Sequence, residues 1–193
     1  MKYIQYLLFP ILIFGCGQSV VNSDWDGEFE DLPEHADIVD YEGTPGLSRV
    51  SVMFGSNLEL QGEYYMGKKT GVWTKYDANG RPESITSYIL GKKQGAQFEF
   101  DKNGKLTLIS YFHNDVLDGI YTTYNNGQVT ESSTYVGGVL NGRSVKLYAN
   151  GIVKEETFYV NGKIHGKAKW YDQDGNLKYE YQYENGELVD QGE

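Results

Sequence analysis

A repeat with a period of 23 or 24 residues is the feature that most limits how this chain can fold. Self-similarity at one period is typical of repeat proteins, in which each unit packs mainly against its neighbours. One aromatic series recurs at intervals of 24, 23, 24, 24 and 24 residues, at Tyr64, Tyr88, Tyr111, Tyr135, Tyr159 and Tyr183. A second series lies between these positions, at Tyr76, Phe100, Tyr124, Tyr148 and Tyr171. We expect both series to form an aromatic ladder along the array.

Glycines recur with the same period and predict the positions of turns. One series comprises Gly71, Gly95, Gly119, Gly142 and Gly166, and another comprises Gly80, Gly104, Gly127, Gly151 and Gly175. A third comprises Gly67, Gly91, Gly138, Gly162 and Gly186, with Asn114 in the remaining slot. Asn or Asp precedes every glycine of the second series, as tight hairpins require, because these residues tolerate positive φ angles. We interpret Gly71, Gly80 and their equivalents as turn glycines.

The segments between the turns alternate in polarity, which indicates strands. Tyr179 and Tyr181 share one face, opposite Lys178 and Glu180. The predicted fold class is all-β: an elongated antiparallel meander of about five hairpin repeats of 23–24 residues in a single twisted sheet, covering residues 64–193. Residues 46–63 are interpreted as a degenerate leading hairpin that caps the array.

The N-terminus carries an export signal. Residues 1–15 contain a positive start and a short apolar stretch, which is too short for a transmembrane helix. The stretch ends in Ile13-Phe14-Gly15-Cys16, which resembles the bacterial lipobox. The resemblance implies that Cys16, the only cysteine, is lipidated and anchors the chain to a membrane. The alternative is an ordinary signal peptide and a buried free cysteine.

An acidic segment follows. Nine of the 27 acidic residues lie between positions 24 and 42, without Lys or Arg. Such a segment repels itself and stays solvated, so residues 16–45 are interpreted as a flexible tether. The alternative is a docking motif, because Trp25 and Phe29 interrupt the acids.

The repeat unit resembles the variant MORN repeat (membrane occupation and recognition nexus). The resemblance rests on Gly71-Val72-Trp73-Thr74-Lys75-Tyr76, Gly80 and Tyr88-Ile89-Leu90-Gly91, and it extends over residues 58–190. Bacterial members include the YwqK family of antitoxins. The resemblance implies a β-hairpin array with a binding or scaffolding role and without catalytic residues. An exported chain suits a periplasmic immunity role better than that of a cytoplasmic antitoxin.

The sequence contains few patterns that are typical of catalytic or metal-binding sites. His35, His113 and His165 have no metal-ligand spacing, and Asp172 begins a D-x-D-G turn that lacks the later ligands of an EF-hand. No basic face predicts nucleic-acid binding. We therefore expect no enzyme activity, metal or cofactor.

Taken together, these features predict a lipid-anchored lipoprotein of the bacterial cell envelope whose partner is another protein of the envelope. Two alternatives stay open. One is carbohydrate or cell-wall binding through exposed tyrosines, and the other is neutralisation of a toxin. The oligomeric state and the choice between inner and outer membrane are open as well.

Overall fold

The computed structural model describes residues 21–22 and 25–191. Within them the chain forms strands and turns, and no helix is long and apolar enough to cross a membrane. Cys16 and the proposed signal peptide lie outside the described residues. The strands are β1 Val21–Asn22, β2 Ala36–Asp40, β3 Leu47–Phe54, β4 Asn57–Tyr65, β5 Lys68–Tyr76, β6 Pro82–Ile89, β7 Lys92–Phe100, β8 Leu106–His113, β9 Val116–Leu117, β10 Gly119–Asn125, β11 Gln128–Val136, β12 Val139–Leu147, β13 Val153–Val160, β14 Lys163–Ile164, β15 Gly166–Tyr171, β16 Leu177–Glu184 and β17 Glu187–Gln191.

These strands form one open sheet, which confirms the predicted all-β meander. From β2 onward the strands pair antiparallel in chain order. Strand β1 runs parallel to β2. Strands β9 and β10 both pair with β8, and β14 and β15 both pair with β13, so each of these pairs is one interrupted strand.

Two kinds of turn alternate at the two ends of the strands. At one end both turn residues have positive φ, as at Leu90 (48°) and Gly91 (88°), which is the hairpin turn that matches the twist of a sheet. At the other end an aspartate closes three of the turns, at Asp77, Asp101 and Asp172. Asp77 Oδ1 accepts hydrogen bonds from the backbone N–H groups of Asn79 (2.8 Å) and Arg81 (2.9 Å), and Gly80 has a φ of 76°. The Gly80 series therefore occupies turns.

The Gly71 series lies in a different place from the predicted turns. At Gly71, Gly95 and Gly142 the register shifts by two residues, so that three residues including the glycine lie opposite one residue of the preceding strand and form a bulge. Gly95 is an example: it lies inside β7 with a φ of 89°. Turns and bulges both require a backbone that glycine adopts easily, which is why the spacing alone did not separate them.

The compact core lies at the N-terminal end of the sheet. Its buried apolar side chains are Ala36, Ile38, Val50, Val52, Tyr64 and Trp73, with Phe29, Leu32, Leu60 and Tyr88 packed against them. The tether prediction fails for this part of the chain. Residues 36–40 form β2, and residues 25–35 cover the neighbouring strands. Two apolar residues on one side of β2, Ala36 and Ile38, are fully buried and outweigh the charge of the intervening acids.

Candidate functional site

One face of the sheet carries a column of aromatic rings, each opposite a bulge glycine on the preceding strand. The paired residues are Gly71 with Tyr88, Gly95 with Phe112, Gly119 with Tyr135, Gly142 with Tyr159, and Gly166 with Tyr183. A Cβ added at the glycine would not meet the paired ring: at Gly95, Gly119 and Gly142 it would lie nearest to Ser87, Tyr111 and Thr134 of the preceding strand. We call this side, which begins at Tyr64, the column face.

The column differs from the predicted ladder at one position. Phe112 pairs with Gly95, whereas Tyr111 pairs with Ala96, and neighbouring residues of a strand point to opposite faces. Tyr111 is therefore on the other face, where it is 41% exposed. The short interval of 23 residues lies after Phe112 and not before it. Consequently the glycine slot of this unit is filled by Asp115, with a φ of 70°, and not by Asn114.

The column tyrosines do not stack directly on one another. At the N-terminal end Trp73 lies between Tyr64 (5.4 Å, 88°) and Tyr88 (6.4 Å, 75°), in edge-to-face contacts. The Lys69 ammonium lies 5.2 Å from the Trp73 ring and 6.0 Å from the Tyr88 ring. Further along, Tyr135 contacts Tyr121 at 5.9 Å. Trp73 thus links two column residues and Tyr121 contacts one; the repeat spacing does not single out either of them.

The second aromatic series lies at the other end of the strands. Its members are all partly buried: Tyr76, Phe100, Tyr124, Tyr148 and Tyr171. Adjacent members are connected where the Tyr148 hydroxyl donates a 2.8 Å hydrogen bond to the Tyr171 carbonyl. Each lies at or next to the end of a strand, just before a turn, so this series helps to align successive hairpins.

The acidic N-terminal segment is docked on the column face. The ring of Phe29 packs edge-to-face on Tyr64, with centroids 5.3 Å apart. The Tyr64 hydroxyl donates to the carbonyls of Glu30 (2.8 Å) and Asp31 (3.0 Å). The backbone N–H of Glu30 donates to the Gly67 carbonyl (2.7 Å), and its carboxylate pairs with Lys68 (2.9 Å). The segment is therefore held by its backbone, by an aromatic ring and by a charge.

Burial, followed by the nearby charges of Asp31 and Glu30, raises the pKa of Tyr64 above its ordinary value. The hydroxyl therefore stays protonated and can donate to both carbonyls over the ordinary pH range. Tyr64 is fully buried, whereas Tyr88, Phe112, Tyr135, Tyr159 and Tyr183 are partly exposed. The N-terminal segment thus covers only the first position of the column.

The opposite face changes character along the array. Its large apolar side chains Val72, Tyr111, Ile120 and Phe158 are each more than a third exposed. Towards the C-terminus it carries ion pairs, among them Arg143 with Glu156 (2.6 Å) and Lys169 with Glu180 (3.6 Å). Exposed pairs of this kind contribute little to stability, about 0–1 kcal/mol each.

The histidines and the acidic turn lie apart from one another. His113 ends β8 and contacts the Gln94 side chain (3.1 Å), and His165 lies in a bulge. Asp172 accepts hydrogen bonds from the N–H groups of Asp174 (3.1 Å) and Asn176 (2.9 Å), and the Asn176 bond is the main cause that lowers the pKa of Asp172. Among the described residues, no group of three or more His, Cys, Asp or Glu side chains could hold a metal ion.

The repeated pattern of glycines, aromatic residues and turns matches one known family of repeats. Four segments match the MORN repeat variant. They are residues 69–89, 93–114, 140–161 and 164–185. The MORN match omits the unit between 114 and 140, where the structure nevertheless has the same hairpin. This is the short unit with Asp115 in the glycine slot. No curated protein matches the chain.

Proposed function

We propose that this chain is a non-enzymatic, lipid-anchored protein of the bacterial cell envelope whose MORN repeats bind another protein through the column face. The observation that carries the proposal is the sheet itself. After the first strands it has no second layer among the described residues, so an aromatic column stays accessible along several hairpins. Repeat proteins characteristically use such extended surfaces for binding.

The membrane anchor and the envelope location are inferred from the sequence. The lipobox resemblance at Cys16 supports attachment to a membrane, and β2 lies only 20 residues further along the chain. Because residues 25–40 are part of the folded body, the linker between the lipid and the body is short. The repeats would therefore act close to the membrane surface, where an envelope protein is the natural partner.

Photo-crosslinking in cells tests this proposal. A photoreactive residue replaces Tyr159 on the column face, and in a matched control it replaces Tyr111 on the opposite face. We expect one specific protein to be crosslinked from position 159 and not from position 111, and to be lost when Cys16→Ser removes the anchor. Capture from position 111 alone, or an equal background from both positions, would contradict the proposal. A captured toxin would assign the immunity role.

Glycan binding is a second candidate, and one observation favours it. Tyr179 is 59% exposed and stacks on Tyr181, with centroids 6.3 Å apart and an interplanar angle of 21°. Trp170, the cross-strand partner of Tyr179, lies 5.5 Å from Tyr181. Exposed rings of this kind can stack on sugars. Retention of the intact protein on peptidoglycan, lost in Tyr179→Ala but kept in Tyr65→Ala, would support this function; absence of retention would exclude it.

A further inference from the structure

The docked N-terminal segment shows which ligand chemistry one MORN hairpin accepts. Three groups of the first unit bind the docked segment: the Tyr64 hydroxyl, the Gly67 carbonyl and the Lys68 ammonium. Gly67 is required for close approach, because an added Cβ would overlap the Glu28 carbonyl oxygen and lie 2.8 Å from Trp25 Nε1. The occupant contributes an aromatic ring, two backbone carbonyls, one N–H and a carboxylate.

The same three groups recur 24 residues later, as Tyr88, Gly91 and Lys92. We propose that this second site binds an extended acidic peptide of a partner protein, with a phenylalanine directly before a glutamate. The proposal rests on the proposed function and names the chemistry of the partner. The Tyr88 side chain is partly exposed and Lys92 is exposed. Both groups are thus available for a ligand.

The second site continues directly from the first. The Glu30 carboxylate already reaches the neighbouring turn, where an added Cβ at Gly91 would lie 3.1 Å from Glu30 Oε2. Lys93 adds a further positive charge beneath the column, 4.8 Å from the Phe112 ring. A peptide at this site would therefore lie beside the docked segment and face Lys92 and Lys93, which complement acidic side chains. The Asp115 carboxylate, which accepts a 2.7 Å hydrogen bond from the Lys93 backbone N–H, limits the site on its far side.

The third unit marks where the site ends. Phe112 lacks the hydroxyl, Asp115 replaces the glycine, and Val116 replaces the lysine. Asp115 would place a Cβ where the first site holds a peptide carbonyl, and its carboxylate would repel acids. The fifth unit has Tyr159, Gly162 and Lys163 but carries Ile164 in place of the second lysine, so it supplies a matched control.

Titration of the intact protein with a synthetic peptide of residues 25–32 (WDGEFEDL) tests the second site, by fluorescence anisotropy of a label on the peptide. We expect saturable binding that weakens about fivefold in Tyr88→Phe, as the loss of one hydrogen bond implies, and about tenfold in Lys92→Glu. Lys163→Glu should bind as the unchanged protein does. A peptide with lysine in place of its second glutamate should regain affinity for Lys92→Glu.

Other results overturn the inference. If the affinity of the peptide depended on Lys68 and not on Lys92, the peptide would be displacing the docked segment from the first site. Dependence on Lys163 would move the site to the fifth unit, and absence of saturable binding would remove it. None of these results affects crosslinking from position 159, so a specific envelope partner captured there would leave the proposed function standing while this inference fails.

Discussion

Gly62 tests whether the core is organised around Trp73. Gly62 lies on β4, and an added Cβ would overlap Cδ2 and Cε2 of the Trp73 indole. Ordinary contact begins at 3.4 Å, so the ring must move by more than about 1 Å in Gly62→Ala. The Gly62 backbone does not have a positive φ, so alanine adds no backbone strain there.

The cost of that movement follows from what holds the ring. Overpacking a closed core costs about 1–3 kcal/mol. The displaced indole would also lose part of its edge-to-face contact with Tyr64 and its 3.2 Å hydrogen bond to the Glu63 carbonyl, each worth about 0.5–1.5 kcal/mol. We therefore expect Gly62→Ala to lower the free energy of unfolding by about 3 kcal/mol and the Tm by about 6–12 °C, measured by circular dichroism.

A double-mutant cycle distinguishes this clash from a general sensitivity of β4. Trp73→Ala alone should cost about 3–5 kcal/mol, because the 4% exposed ring leaves a cavity. In that background Gly62→Ala should be nearly neutral, giving a coupling energy of at least about 2 kcal/mol. Gly55→Ala, where the turn has open space and a φ of 63°, should keep its cost in both backgrounds. Additive costs for Gly62→Ala and Trp73→Ala would refute the reasoning.

Three further outcomes are expected. Phe112→Ala should destabilise the protein by about 2 kcal/mol and Tyr111→Ala by less than about 1 kcal/mol in urea unfolding, because only Phe112 lies in the column; the reverse order would contradict the register. Tyr64→Phe should cost about 1–2 kcal/mol and speed amide hydrogen exchange at residues 28–32, since the two carbonyls lose their donor; unchanged exchange would disprove this role. Hydrogen bonds, above all the one from the backbone N–H of Arg81, lower the pKa of Asp77 to about 2. The ionised Asp77 carboxylate therefore stabilises the folded state fully above about pH 4, and this stabilisation is lost as pH falls towards 2. Unfolding midpoints should therefore fall less steeply with acid in Asp77→Asn than in the unchanged protein, and identical pH profiles would contradict this.

The hairpins, their turns and the single sheet could be predicted because each depends on local chemistry. A few local residues, Asn-Gly or Asp-x-x-Gly, are enough to specify a turn, and these short sequences recur in each repeat. The register of the third unit could not be predicted in this way, since Tyr111 and Phe112 are both aromatic and only pairing with Gly95 distinguishes them. Trp73 belongs to the motif that carries the family resemblance, but its role in the core could not be predicted from the period, because the other units have no tryptophan at its position.

The docked segment shows a different limit of sequence reasoning. Its charge predicted a solvated tether, yet a few apolar contacts decide its position: Phe29 and Leu32 pack on the core while Glu30 keeps its charge at the exposed Lys68. A single-layer sheet buries little apolar surface, so the first hairpins gain a second layer from the segment that precedes them. The later hairpins have no such layer within the described chain. Their rings therefore remain partly exposed, which is what the proposed binding through the column face requires.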